Sequence, residues 1–236
     1  MTLISATNLR HQFLAQAQQN LQQFFKNNKI AKITIIVTNK TTVTNHYLQV
    51  KQKLFARFNI VTKIIDYSQD NEIAIYRDYQ KLLKNPEIQG VFIELPLRAD
   101  LSAKEFFSYL PISKDVEGLG YQNLALIATK QEKQAVLAST AHACLLLMQT
   151  QISSLKAKKI ALIGAGQTVG RPLLQLLLNR NATVFICDEY TKDLTNDPAS
   201  NLESGTIYSG NLSNDALTEG QVALDEEFNW LFTTIR

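Results

Sequence analysis

Two cysteines in 236 residues exclude a disulfide framework and a cysteine-ligated metal site. Cys144 and Cys187 each sit in an apolar run, the setting of a buried thiol. The three histidines, His11, His46 and His142, are scattered without ligand spacing, so no metal is expected. Neither sign of charge dominates: 24 Lys and Arg against 21 Asp and Glu leave +3, too little to argue for nucleic acid. No apolar stretch approaches the roughly 20 residues of a membrane span. Met1-Thr-Leu-Ile-Ser5 lacks a basic region leading into an apolar core, so no secretory leader and no membrane are expected, and a cytoplasmic protein is. Glycine and proline are sparse, at 9 and 5, which makes their positions informative.

Hydrophobic residues form 45% of the chain, enough for one large or two small cores. Helical periodicity places Leu9, Phe13, Ala17, Leu21, Phe24 and Phe25 on one face of a first helix. A buried strand at Ile33 to Val37 follows, then a helix from about Thr44 to Phe58 and a strand at Ile60 to Tyr67. A helix over 72–84 ends at Asn85-Pro86, and Gly90 to Leu95 is a strand stopped by Pro96. Strands alternating with helices predict an α/β fold with parallel sheet. A linking helix around 140–150 sets the expected boundary between two α/β domains, 1–140 and 141–236. Near the end, Gln221 to Leu224 reads as a strand and Glu226 to Ile235 as a last helix.

Three of the glycines fall together. Lys159-Ile-Ala-Leu-Ile163 is an apolar strand that stops at Gly164, with Gly166 and Gly170 next and a helical leucine pattern after them. A second β-branched run, Ala182 to Cys187, ends in Asp188. Strand, tight glycine turn, helix and strand ending in an acid form the layout of a Rossmann-type dinucleotide site. Gly164 allows the turn, Gly166 admits a pyrophosphate to the backbone, and the helix N-terminus faces its charge. The spacing is Gly-x-Gly-x-x-x-Gly, so the glycines also fit a turn that binds nothing.

In the first half, Tyr47 and Lys51 lie four apart on a helix and share a face. By itself this pair also fits a half-buried tyrosine beside a solvated lysine. Glu94 ends a strand, where parallel α/β sheets keep their sites, and is equally a strand-end surface acid. Glu117, in Lys114-Asp-Val-Glu-Gly118, is a site acid or a loop residue.

Together these pieces are more specific. Tyr47-x-x-x-Lys51, Gly90-Val-Phe-Ile-Glu-Leu-Pro-Leu97, Lys114-Asp-Val-Glu-Gly118 and the turn running into Val169-Gly170-Arg171-Pro172 occur in this order. The chain thereby resembles the bifunctional methylenetetrahydrofolate dehydrogenase/methenyltetrahydrofolate cyclohydrolase (FolD) family from about residue 1 to 190. The resemblance implies a folate-binding catalytic domain, an NAD(P)-binding domain, a cleft between them and a cytoplasmic homodimer. It implies hydride transfer from methylenetetrahydrofolate to NAD or NADP, then hydrolysis to 10-formyltetrahydrofolate. Lys51 is then the main catalytic group, with Tyr47 positioning the folate and Glu94 beside them. Thr44, Glu117, Leu95 and Pro96 bind substrate, Glu117 taking the pterin edge. Gly164, Ala165, Gly166, Gln167, Thr168, Val169, Gly170, Asp188 and Glu189 bind the cofactor.

The chain departs from that pattern. Glu94 stands where the family has glutamine, and a carboxylate there favours the ammonium form of the lysine, opposing a step that needs the free amine. Weak cyclohydrolase activity is expected unless Glu94 is itself the base. Glu117 is one methylene longer than the usual aspartate, and Ala138-Ser-Thr-Ala141 replaces Pro-Cys-Thr-Pro. Ala165 and Gly166 replace the arginine and serine that serve the NADP phosphate, and Asp188 and Glu189 replace His-Ser, so NAD is expected over NADP. The family's late Pro-Val-Pro-Gly-Gly-Val-Gly-Pro segment does not occur. These departures imply a divergent, C-terminally shortened member, with an inactive folate- or nucleotide-binding relative as the alternative.

Overall fold

The computed structural model of the chain describes residues 2–3, 7–27, 30–187, 222–224 and 230–233. The elements run β1 (Thr2–Leu3), α1 (Thr7–Asn27), β2 (Ala31–Val37), α2 (Thr42–Arg57), β3 (Ile60–Asp66), α3 (Glu72–Lys84), β4 (Gly90–Ile93) and α4 (Ala103–Tyr109). They continue with α5 (Tyr121–Ala128), α6 (Ser139–Gln151), β5 (Lys159–Ile163), α7 (Gly170–Asn179), β6 (Thr183–Cys187), β7 (Val222–Leu224) and β8 (Trp230–Thr233). Two compact units result, one of Arg10–Asn123 and one of Met1–Leu9 with Leu124–Arg236.

The first unit holds a parallel sheet in the order β3-β2-β4. The central strand reads Ala-Lys-Ile-Thr-Ile-Ile-Val because both its faces are covered; Ile35 and Ile36 are wholly buried. Thr41 starts α2, its hydroxyl accepting from the Thr44 N–H at 3.0 Å. Leu48 turns inward onto Ile33, Ile35, Val37 and Phe92, which leaves the opposite side of α2 outside the core. Asn71 caps α3 through the Ala74 N–H, and the helix stops at Asn85, ahead of Pro86. Buried Tyr79 donates its hydroxyl proton to the Phe106 carbonyl at 2.8 Å, fixing α4 against α3. Because β3 and β4 flank β2 on opposite sides, the connections leave in opposite directions. The switch point therefore lies at the carboxyl ends of β2 and β4.

In the second unit the sheet order is β1-β7-β8-β5-β6. β5 runs parallel to both β6 and β8, and the remaining pairings are antiparallel. Ile160 and Leu162 of β5, with Leu173, Leu176 and Leu177 of α7, are fully buried. Cys144 and Cys187 are buried and form no disulfide. Burial pushes the Cys144 thiol up to about 12.

Two boundaries differ from the sequence reading. The end of the chain is not helical where it is described: Trp230–Thr233 is a strand pairing with Ile160 to Ile163. A short run of Trp, Phe and Thr has β preference, and an open edge of β5 decided the matter. The units also part at Asn123/Leu124 rather than near 140. The cause is a clamp: the Asn179 amide donates to Ile127 O and Glu132 Oε1, both at 2.7 Å, and Arg180 bonds both oxygens of Glu132. That clamp ties residues 127 to 132 to α7.

A Cβ at Gly170 would overlap the Gly164 carbonyl oxygen, whereas one at Gly166 would meet nothing within 4 Å. Gly170→Ala is expected to cost about 1–3 kcal/mol in urea unfolding, and Gly166→Ala no more than roughly 0.5 kcal/mol.

Candidate functional site

Strand periodicity starts the site. Phe92 and Glu94 are two residues apart, so both point to the face of β4 that α2 covers. The Glu94 N–H still joins the ladder, donating to Ile36 O at 2.9 Å. One helical turn beyond Tyr47, Lys51 lies over the Phe92 ring, 3.8 Å from its centroid. Its ammonium sits 2.6 Å from Glu94 Oε2. Glu94 is only 6% exposed, so this pair is held more firmly than a surface ion pair. Tyr47 is half exposed on the same helix face, edge-on to His46. Leu95 is partly buried and Pro96 exposed, joined by a cis peptide bond.

The loop after α4 brings a second acid. Asp115 bridges to Val91 of β4 and is buried. One of its oxygens accepts from Glu117 N at 3.2 Å and Gly118 N at 2.9 Å. The other accepts from Gly120 N at 2.7 Å and Asn123 Nδ2 at 2.6 Å. Gly118 has φ 73°, and a side chain at Gly120 would strike the Asp115 carboxylate. Lys114 turns the other way, donating to the carbonyls of Asn85 and Ile88. Val116 packs onto the core. Lys114, Asp115 and Val116 are thus the scaffold, and Glu117 is what they present.

Burial pushes the Glu117 carboxyl up to about 8, with the charges of Glu94 and Asp115 adding to the effect and Lys51 opposing it. Lys51, Glu94 and Glu117 are therefore electrostatic neighbours drawn from three separate segments. Thr44 is engaged differently: it is buried in the α2 cap, its hydroxyl 2.8 Å from Thr41 Oγ1 and 3.3 Å from Asn39 O.

The glycine turn divides its labour. Gly164, at φ 96°, donates its N–H to Cys187 O at 2.8 Å, and Gly170 is pressed against it. Gly166 is exposed with open space above it. Val169 gives α7 no side-chain cap, so nothing from that residue competes with an anion at the helix N-terminus. Arg171 Nε donates back to Ala165 O at 3.1 Å, while Gln167 and Thr168 are partly buried. The Arg171 N–H donates to the Gly166 carbonyl at 3.0 Å; the lack of a side-chain cap on α7, beside an open glycine, still fits a dinucleotide pyrophosphate. Asp188 and Glu189 lie outside the described residues.

Residues 4–117 match the catalytic domain, and residues 138–225 the NAD(P)-binding domain, of tetrahydrofolate dehydrogenase/cyclohydrolase. The chain belongs to that family. It is 33% identical to the bifunctional protein FolD of Deinococcus radiodurans over 165 residues, 69% of this chain and 55% of that protein. With the FolD of Dictyoglomus turgidum it shares 29% over 211 residues, 86% of this chain and 73% of the relative. The crystal structure of the FolD enzyme of Campylobacter jejuni superposes with a TM-score of 0.70 at 24% identity, covering 78% of this chain and 66% of that one. The chain thus spans little more than half the length of the first of these relatives.

Within the FolD family pattern, the sequence reading missed Phe92, Asp115 and Asn123. An Asp preceding Val-Glu-Gly carries the signal of a side chain folding back on its own loop. Replacing Asp115 by Ala orphans four donors and is expected to cost at least about 3 kcal/mol in denaturant unfolding.

Proposed function

We propose that the protein acts in one-carbon folate metabolism. It oxidises 5,10-methylenetetrahydrofolate to 5,10-methenyltetrahydrofolate with a nicotinamide dinucleotide, then hydrolyses the product weakly to 10-formyltetrahydrofolate. The observation that carries this reading is the Lys51–Glu94 pair at the switch point of a chain matching both family domains.

In this reading Tyr47 offers a half-exposed ring against the pterin, and Glu117 holds the pterin's N–H edge. Leu95 and Pro96 flank that site, and Thr44 supports it through the α2 cap. Lys51 sets a fixed positive charge beside the reacting one-carbon unit, directed by Glu94 and the Phe92 face. The turn from Gly164 to Gly170 holds the dinucleotide, whose nicotinamide, when bound, takes up the hydride. In the second step water adds to the methenyl carbon, its C–N5 bond opens and one proton leaves. Glu94 engages the Lys51 ammonium at 2.6 Å, which withholds the amine from that step unless the carboxylate itself takes the proton. We assign the protein to the cytoplasm, as a homodimer. No helix among the described residues is long and apolar enough to cross a membrane.

Purified protein given methylenetetrahydrofolate and either cofactor is expected to form the methenyl product, and Lys51→Ala to lower turnover at least about 100-fold. Absence of methenyl formation in the wild type sinks the enzymatic reading. Glu94→Gln is expected to speed methenyl hydrolysis, and an unchanged rate counts against the role given to Glu94. Ala165, with Asp188 and Glu189, supports NAD over NADP. Calorimetric titration of the two cofactors tests this, tighter NADP binding being the contrary result.

A further inference from the structure

Three carboxylates gather at the carboxyl end of β4, and the cations near them are already committed. Glu94 holds the Lys51 ammonium at 2.6 Å. Asp115 is saturated by four donors from its own loop and from α5. Lys114 is spent on two backbone carbonyls. Among the described residues, the Glu117 carboxyl is left with neither a hydrogen-bond donor nor an ion-pair partner, yet it is partly buried and lies within electrostatic reach of Lys51, Glu94 and Asp115. A desolvated carboxyl among other acids is least costly in its neutral form.

We propose that Glu94, by claiming the site's ammonium, leaves Glu117 as a proton-carrying carboxyl in the ligand-free protein, and that a ligand edge with paired N–H donors binds with release of that proton to solvent. The charged and titratable groups acting on Glu117 are Lys51 from α2, Glu94 from the end of β4 and Asp115 from its own loop, with burial the largest influence. A protonated carboxyl turns a donor toward the ligand's donors, whereas the carboxylate accepts both N–H groups side by side. Binding and ionisation are therefore linked. Affinity for such a ligand rises about tenfold per pH unit below the Glu117 midpoint and levels off above it. The choice of a pterin-like edge as the ligand rests on the folate reading above; the proton on Glu117 does not.

Carbon-13 NMR titration of the glutamate carboxyls in the ligand-free protein, with Glu117→Gln identifying the signal, is expected to give Glu117 a midpoint near 8. Glu94→Gln frees Lys51 and removes a neighbouring charge, so the midpoint is expected to fall by about one unit or more. A Glu117 midpoint in the ordinary carboxylate range, or one unmoved by Glu94→Gln, overturns the proposal. Calorimetric titration with tetrahydrofolate at about pH 7, in buffers of different protonation enthalpy, is expected to show about one proton released per ligand bound and almost none in Glu117→Gln. Tetrahydrofolate binding without proton release overturns the ligand half. If tetrahydrofolate fails to bind between about pH 6 and 8.5 while Glu117 still titrates near 8, the folate reading falls and the proton-carrying carboxyl stands.

Discussion

Parallel pairing of β4 with β2 is the constraint from which the first unit's chemistry follows. It sets Gly90 beside Ile33 and Ile93 beside Ile36, and the Glu94 N–H is captured by the Ile36 carbonyl. With that register fixed, Phe92 and Glu94 must face α2, because strand side chains alternate. A one-residue slip would send both to the other face and leave Lys51 without its partner. The same pairing carries the bridge from Val91 to Asp115, so the loop bearing Glu117 is hung from β4 as well.

Charge and burial then decide how those side chains differ. Two acids of the same chemical type lie near one lysine. Both are withdrawn from solvent, but Glu94 has the ion pair and Glu117 has none to offset its burial. Environments that separate like groups in this way are what acid–base sites are built from. Asp115, although buried, is not part of that competition, since its four hydrogen bonds compensate its charge locally. Its work is positional, and it is done on Glu117 and Gly118.

In the second unit, which matches an NAD(P)-binding domain, the glycine turn separates what the fold needs from what it leaves open. Gly164 and Gly170 are required by the fold, one by its positive φ and the other by the lack of room for a Cβ. Gly166 is required by neither. Its open surface, beside a helix whose first turn has no side-chain cap, is the part of the turn that is free to serve a ligand.

Much of this was legible in the residues. The alternation of apolar runs and helical patterns determined the order of the elements through α3, and the strand–glycine–helix layout determined β5 and α7, because local periodicity reports directly on which side chains must be buried. Tyr47 and Lys51 were legible as one helix face, and Glu94 as a strand-end acid. The short α4 and α5 were not, since each buries its residues against neighbours supplied from elsewhere in the chain; nor was the strand at Trp230–Thr233, whose form depends on the edge of β5. What the sequence determined alone was the longer elements, from α1 to β4 and from β5 to β6, and the residue types at their ends. The tertiary structure alone decided that Lys51 is spent on Glu94, that Asp115 is scaffold and that Glu117, among the described residues, has no direct partner, because a group's electrostatic environment is set by residues that meet only after the sheet has formed.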